Sequence, residues 1–427
     1  LRTFAAYDEA GSIAACRIDM KEQVLQSSGS STKEILNKTA YPVLFTIAFT
    51  HLLNDLMQAI VPAVYPMFKA NFNLSFAQIG LITFASQLTA SIFQPFIGYY
   101  TDRTPRPFSL AIGMMFTLAG LIVLAFAPGF GIIIVAVCLM GVGSAIFHPE
   151  SSRVAYLASG GKRGLAQSIF QLGGNAGSAI GPLLAAVIIV PYGQFNILWI
   201  TLVSVLAILI LFQIGKWYKG HLILRAATNH PADVKPNLSK VKIWASVAIL
   251  LVLIFSKYFY MASMTSYFTF YLIEKFGVSV QQSQMYLFIF LGSVAAGTLI
   301  GGPLGDAFGR KYVIWFSILG AAPFTLLLPF ASLFWIGVLA AIIGVIIASA
   351  FSAILVYAQE LLPGNVGMVS GLFFGFAFGM GGLGSAIMGE LADATSIEHV
   401  FYICSFLPLI GVITGFLPSL NKLKSRA

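Results

Sequence analysis

Charge is what this chain has least of: Asp, Glu, Lys and Arg together make up 9% of its 427 residues. A soluble domain carries roughly a quarter, so ordinary packing in water is excluded. Cysteine is nearly absent too. Cys16, Cys138 and Cys404 lie far apart, with no C-x-x-C or metal-ligand spacing, so neither a disulfide framework nor a metal site is indicated. The sequence has no H-E-x-x-H, no G-x-S-x-G and no P-loop. That removes the usual signatures of a membrane hydrolase and of an ATP-driven pump, and nothing calls for a cofactor.

Hydrocarbon takes the place of charge. Apolar residues make up 58% of the chain and the mean hydropathy is +0.89. Runs of about 18 or more such residues are long enough to cross the ~30 Å core of a bilayer. They predict an all-α polytopic membrane protein with twelve transmembrane helices, at 42–68, 77–100, 108–127, 131–151, 165–190, 195–215, 244–273, 281–304, 312–330, 333–359, 368–390 and 398–418.

The formal charge of +9 suggests nucleic acid only until the charges are mapped. Every Lys and Arg except Lys69, Lys257 and Lys275 falls in the two tails or in the loops on the same side as the tails. Under the positive-inside rule both termini are cytoplasmic. The excess is a topology signal, and no nucleic-acid partner follows from it. Residues 1–40 are polar, Ser-rich at 27–31, and lack the apolar core of a signal peptide. The first methionine is Met20, and the residues before it read as an extension without function.

Span 2 ends in GYYTDRTPRP, with Gly98, Asp102, Arg103 and Arg106. Span 8 ends in GPLGDAFGRK, with Gly302, Asp306, Gly309, Arg310 and Lys311. The offset that relates Asp102 to Asp306 also relates Ser75 to Ser279 and Gln78 to Gln282. Such an internal repeat predicts two pseudo-symmetric six-helix bundles, 41–216 and 244–427, joined by a charged cytoplasmic linker at 217–243.

Polar groups inside the spans are the candidates for function. In THLLNDLMQA, residues 50–59, His51, Asn54, Asp55 and Gln58 recur at i, i+3, i+4 and i+7 and share one helical face. A carboxylate at bilayer depth costs at least ~2.5 kcal/mol, so Asp55 faces protein or water. The stripe marks either a proton and substrate path or a packing cluster that satisfies itself. Span 5 adds Gln167, Gln171 and Asn175 at i, i+4 and i+8. Span 7 holds Lys257 near its centre, followed by Tyr258, Tyr260, Ser263, Thr265, Ser266 and Tyr267. The repeat offset pairs Lys257 with Leu53, beside the stripe. The expectation is one midplane site with Asp55 on one wall and Lys257 on the other. Asp55 and His51 would take a proton there. Lys257, with Asn54, Gln58, Gln171, Asn175 and Tyr258, would hold an anionic group.

Twelve spans in two halves, with G-x-x-x-D-x-x-x-R after spans 2 and 8, resemble the major facilitator superfamily over about residues 40–420. The stretch GVGSAIFHPESSRVAYLASGGKRGLAQSIFQLGGNAGSAIGP at 141–182, with FSKYFYMAS in span 7, resembles its fosmidomycin-resistance branch. The resemblance implies that the loop motif is a conformational lock. Its Asp would point at a neighbouring helix N-terminus, and its Arg would pair with an acid at the cytoplasmic end of helix 4 or 10. Arg103 or Arg106 is therefore expected on Glu150, and Arg310 on Glu360, the alternative being solvated loop charges. Ala307 and Phe308 stand where many members place a further arginine, which implies a looser second lock. The arginine that many proton-coupled members carry in mid-helix 4 is missing near Val137, which returns the coupling role to Asp55. His148, Pro149, Glu150 and Arg153 either gate the path or terminate the helix at Pro149.

Gly177, Gly181 and Pro182 fit the core of the antiporter motif, with Ala185 and Ala186 replacing its glycine pair. Either the motif has directional meaning, with Pro182 bending the helix, or its small residues only let helices pack closely. Together these features imply a monomeric secondary active transporter whose partners are protons, a small-molecule substrate and the lipid bilayer. It would export a small anionic drug, such as fosmidomycin or a related phosphonate, against protons. The alternative is a proton symporter importing a small organic anion.

Overall fold

A computed structural model describes residues 38–74, 76–227, 238–278 and 280–419. The N-terminal extension before residue 38, Ser75, Ser279, Lys235 and the basic C-terminal tail lie outside these residues, as do the side chains of Lys69, Pro182, Ser266 and Asp393. Among the described residues there is no strand. The described residues form twelve helical rods. α1 is Tyr41–Ala63, α2 Phe76–Arg103, α3 Ser109–Ala125, α4 Phe130–Ala158, α5 Arg163–Leu184 and α6 Leu198–Ala227. α7 is Lys240–Phe276, α8 Val280–Phe308, α9 Arg310–Leu319 continued by Ala322–Leu327, α10 Leu333–Ala348 continued by Ala350–Leu361, α11 Val366–Ala394, and α12 Ile397–Ser405 continued by Leu407–Phe416.

Among the described residues, nine helical stretches are long and apolar enough to cross a bilayer by themselves. The other three rods have physical reasons to fall short. α3 has only 17 residues, and α2 and α5 are diluted by interior polar side chains such as Gln87, Gln94, Gln167 and Asn175. Large apolar side chains including Phe96, Trp199, Leu209 and Phe308 are exposed on the outside of the bundle, as expected where the surrounding solvent is hydrocarbon. Parts of the expected linker are helical, since α6 runs on to Ala227 and α7 begins at Lys240.

Two apolar cores form. The larger runs through the first six helices and into α7, α9, α10 and α11, and the smaller lies wholly beyond residue 258. The two halves meet along α2 with α11 and along α5 with α8. At the basic end the contact is backbone to backbone: a Cβ added to Gly98 would overlap the carbonyl of Gly367, and one added to Gly302 would overlap that of Gly164. Small residues there allow two helices to touch with no side chain between them.

α4 corrects one expectation. Pro149 does not end the helix, which continues to Ala158 with Glu150 and Arg153 buried on its last turns. α5 does become irregular soon after Pro182: it ends at Leu184 and widens into a π-helix at Ala185–Ile189.

Candidate functional site

The polar stripe of α1 lies in the interior. His51 and Asn54 are fully buried, and Asp55 keeps a small exposed surface. Asn54 Nδ2 donates to Asp55 Oδ1 at 2.9 Å. His51 Nε2 is 3.3 Å from Asp55 Oδ2, and His148 Nε2, from α4, is 3.6 Å from Oδ1. His51, Asp55 and His148 thus form one cluster. Sequence spacing did not join them, because His148 reaches the stripe only through the packing of α4 against α1.

Backbone carbonyls orient both rings. His51 Nδ1 is 2.8 Å from the Phe170 carbonyl of α5, and His148 Nδ1 is 3.0 Å from the Ser144 carbonyl. A carbonyl can only accept, so these contacts assign a hydrogen to each Nδ1, with the Ser144 hydroxyl, 3.2 Å from His148 Nδ1, as a second acceptor there, and each Nε2 is turned toward Asp55. Phe147, Phe170, Phe374 and Phe378 wall the rings in, with His51 stacked on Phe170 at 4.0 Å between centroids.

A cavity of about 230 Å³ opens beside this cluster. Its polar lining includes Asp55, Gln58, Thr83, Gln87, Ser144 and His148, with Ser178 of α5 and Phe378 of α11 completing the wall. Apart from Ser144 and His148 of α4, the lining residues of the first half come from the parts of α1, α2 and α5 away from the basic end.

The structure does not make Lys257 the opposite wall. Lys257 is 5% exposed and its Nζ lies 5.4 Å from the ring centroids of both Tyr258 and Phe351. Among the described residues it forms no ion pair, with Asp55 or any other acid. Phe351 touches Phe374, and Phe374 touches His148, at 5.0 and 5.2 Å between centroids. An aromatic layer therefore connects the lysine to the cluster where an ion pair was expected. The offset argument placed the helices side by side but could not fix the direction of the side chain.

The other amides divide in the same way. Gln58 reaches the cavity wall and donates to the Met140 carbonyl at 3.2 Å. Asn175 leaves the cavity and bonds Thr298 of α8 at 3.0 Å, tying the halves together. Gln171 is half-buried, with its Oε1 buried and unpartnered. Gln167 joins Ser152, Gln359 and Ser370 in a buried hydrogen-bonded set that crosses from α4 and α5 to α10 and α11. Gly177 and Gly181 press on the backbone of α1 at Leu52 and Leu56.

At the basic end, Asp102 accepts from the backbone N–H of Gly367 and Met368 at 2.9 and 2.8 Å, and Asp306 from those of Gly164 and Leu165 at 3.1 and 3.0 Å. Arg310 lies 2.9 Å from Asp306 and 3.4 Å from Glu360. In the first half the expected partner of Glu150 is corrected. Arg153, one helical turn along α4, meets Glu150 at 2.8 Å and Asp102 at 2.5 Å, and it also donates to the Thr101 carbonyl at 2.7 Å. Arg103 instead stacks 4.1 Å from the ring of Tyr99, and Arg106 donates to the Tyr100 hydroxyl at 3.1 Å. Of the two readings of this cluster, a helix stop at Pro149 would have kept Arg153 from reaching back to its own acid; the helix continues and brings the two together. By the repeat offset the second half has Tyr357 where the first has Arg153, so there the loop arginine fills the space.

Comparison with known proteins agrees with this architecture. The sequence profile of the Major Facilitator Superfamily matches residues 47–294 and 249–426. The chain is 58% identical over 399 residues to the fosmidomycin resistance protein of Escherichia coli (strain K12), covering 93% of this chain and 98% of that protein. It is 44% identical over 410 residues to an uncharacterised MFS-type transporter, YfnC, of Bacillus subtilis (strain 168), covering 95% and 98%. Among solved structures, FucP in the outward conformation superposes with a TM-score of 0.69 at 16% identity, covering 90% of this chain and 99% of that one. The proton:xylose symporter XylE gives 0.68 at 15%, covering 91% and 99%. At such identities the likeness is one of fold.

Proposed function

The chain belongs to the Major Facilitator Superfamily and is a multi-pass membrane transporter, and on that premise we propose that it exports a small anionic molecule of the fosmidomycin or phosphonate class in exchange for protons. The observation that carries the reading is the buried carboxylate of Asp55, set beside a polar cavity with two imidazoles turned toward it. In this reading the protein is a monomer of the bacterial inner membrane with both termini cytoplasmic. Residues 41–216 and 244–427 are the two bundles, and 217–243 is the linker.

The two aspartate-capped seams then close the cytoplasmic side, and the cavity faces out. Asp55 and His51 receive a proton from the outer side in this state. When the seams part, the proton leaves inward and the cargo enters, with its anionic group drawn toward Lys257 behind the aromatic layer. Gln58 lies on the cavity wall, Asn54, Gln171 and Tyr258 supply the polar margin of the path, and Asn175 stays on Thr298 at the seam between the halves. Gly98, Asp102, Glu150, Gly302, Asp306, Arg310 and Glu360 form the lock, to which Arg153 is added. Gly177 and Gly181 supply the close α1–α5 seam that such a cycle requires to stay rigid, and Pro182 completes the antiporter-like motif in the sequence.

The reading draws support from the relative named for fosmidomycin resistance, which is similar over almost its whole length. Everted vesicles containing the protein test it. Acidifying the lumen should drive accumulation of a labelled phosphonate, and an uncoupler should abolish it. Accumulation no greater than in vesicles without the protein would overturn export, and uptake in the opposite direction would favour the symporter.

A further inference from the structure

His51, Asp55 and His148 present three donor groups whose atoms all lie within 4.8 Å of one another. The arrangement poses an electrostatic problem. Both Nδ1 atoms are committed to backbone carbonyls, at 2.8 and 3.0 Å, so in a neutral imidazole Nε2 is a bare lone pair. Each Nε2 is buried and has no hydrogen-bond partner, while pointing at a carboxylate oxygen that is also a lone-pair donor. Three acceptors facing one another repel unless something positive lies between them.

Protein cations do not supply it. The other helices around the cluster contribute Thr83, Gln87, Ser178, Phe170, Phe374 and Phe378, none of them charged. Lys257 is held beyond Phe351 and Phe374. The spacing also admits an ion. The three donor groups lie within 4.8 Å of one another, and the two nitrogens are 3.3 and 3.6 Å from different oxygens of Asp55, near the ~3.4 Å that bonds of about 2.0–2.2 Å set between neighbouring ligand atoms in a tetrahedral site. Imidazoles fixed through Nδ1 to a carbonyl, with Nε2 presented inward, are the usual outer-shell arrangement of histidine metal ligands. Asp55, Ser144 and His148 also line the cavity, which leaves a coordination position open to water or to an anionic group of cargo.

We propose that His51 Nε2, Asp55 and His148 Nε2 form a binding site for one first-row divalent transition cation, of the Zn²⁺ or Co²⁺ kind, with its open position facing the cavity. Two nitrogens and one carboxylate suit such ions better than Mg²⁺ or Ca²⁺, which prefer all-oxygen shells. The site occupies the proposed coupling centre but is argued from its donor set, so the two readings fail separately. A cation there and a proton there are alternatives, each supplying the missing positive charge.

The test is spectroscopic and needs no transport. The full chain, purified in detergent with its affinity tag removed and stripped by a chelator, is titrated with Co²⁺ at neutral pH. The expected result is the intense visible absorption of four- or five-coordinate Co²⁺, saturating at one ion per chain and bleached by Zn²⁺. Asp55→Asn and His148→Gln should each weaken Co²⁺ binding at least about 10-fold, a loss of the size seen when even outer-shell partners are removed. Thermal unfolding is measured on each variant, and the wild-type spectrum needs no variant at all. Only the weak absorption of octahedral aqueous Co²⁺ in the wild-type protein would overturn the site, as would full binding retained by both variants. Phosphonate export that persists in protein showing no bound cobalt would reject the metal and leave the export reading standing. Cobalt binding in protein that exports nothing would do the reverse.

Discussion

Asp102 and Asp306 each cap a helix in the opposite half of the molecule: Asp102 closes the start of α11, and Asp306 closes the start of α5. The first turn of a helix has N–H groups without intrahelical partners, and a carboxylate there gains both hydrogen bonds and the helix dipole. α11 has no side-chain cap of its own at Asn365. Each half therefore borrows from the other the group that completes its fold, and separating the halves at this end uncovers four backbone donors at once.

The two caps are expected to differ in weight. Each arginine keeps a second acid, Glu150 for Arg153 and Glu360 for Arg310, but the side chain of Asp102 is 5% exposed against 22% for Asp306, so the pair it makes is the more deeply buried. Asp102→Asn should lower the midpoint of thermal unfolding more than Asp306→Asn, since breaking a buried pair costs about 3–5 kcal/mol. Equal midpoints for the two variants would show that Arg153 adds nothing to the first seam.

Within the first seam, the helix arginine should outweigh the loop arginines. Arg153→Ala leaves Asp102 and Glu150 buried without their cation and also frees the Thr101 carbonyl. It is expected to destabilise strongly and to abolish export. Arg103→Ala and Arg106→Ala remove only contacts with Tyr99 and the Tyr100 hydroxyl, and both should keep unfolding midpoints and export rates near those of the wild type. A larger loss from either of these would restore the loop arginine as the partner of Glu150.

The residues that could be read from sequence were those whose role depends on one helix. The stripe from His51 to Gln58 needs only the helical period, and the twin Asp motifs need only the repeat. His148 and Arg153 were harder, because Pro149 between them suggests a helix end and nothing local shows that α4 carries on to Ala158. Lys257 was located in depth but not in direction: which way a long side chain turns is decided by the aromatic rings that receive it, here Tyr258 and Phe351. Asn175 was read into the cavity wall for a similar reason, since the amide stripe of α5 passes the α8 seam before it reaches the cavity.

A side chain at Gly98 tests whether the described packing is one of two states. The Cβ of Gly98→Val would meet the carbonyl of Gly367 in backbone rather than in a yielding side chain. The seam between α2 and α11 then cannot close, and the population shifts toward the state open at the basic end. A reporter cysteine at Met368, in a chain otherwise without cysteine, should be alkylated several-fold faster when Gly98→Val is present. Unchanged alkylation would mean that the seam is already open or never closes.

Lys257 allows function and stability to be separated. Its side chain is buried against two rings, and no acid among the described residues supplies the Coulomb gain of a counter-ion. Removing water from a charge is costly, while replacing it with an apolar side chain of similar length restores packing at little loss. Lys257→Met is therefore expected to leave the thermal midpoint unchanged or raised, and to abolish export of anionic cargo. Asp55→Asn should also stop export. Because no ion pair joins the two residues here, the unfolding effects of the single variants should add in the double variant to within about 0.5 kcal/mol. A coupling well above that would mean that Asp55 and Lys257 do meet directly in the folded protein, and that the aromatic layer of Phe351 and Phe374 does not hold them apart.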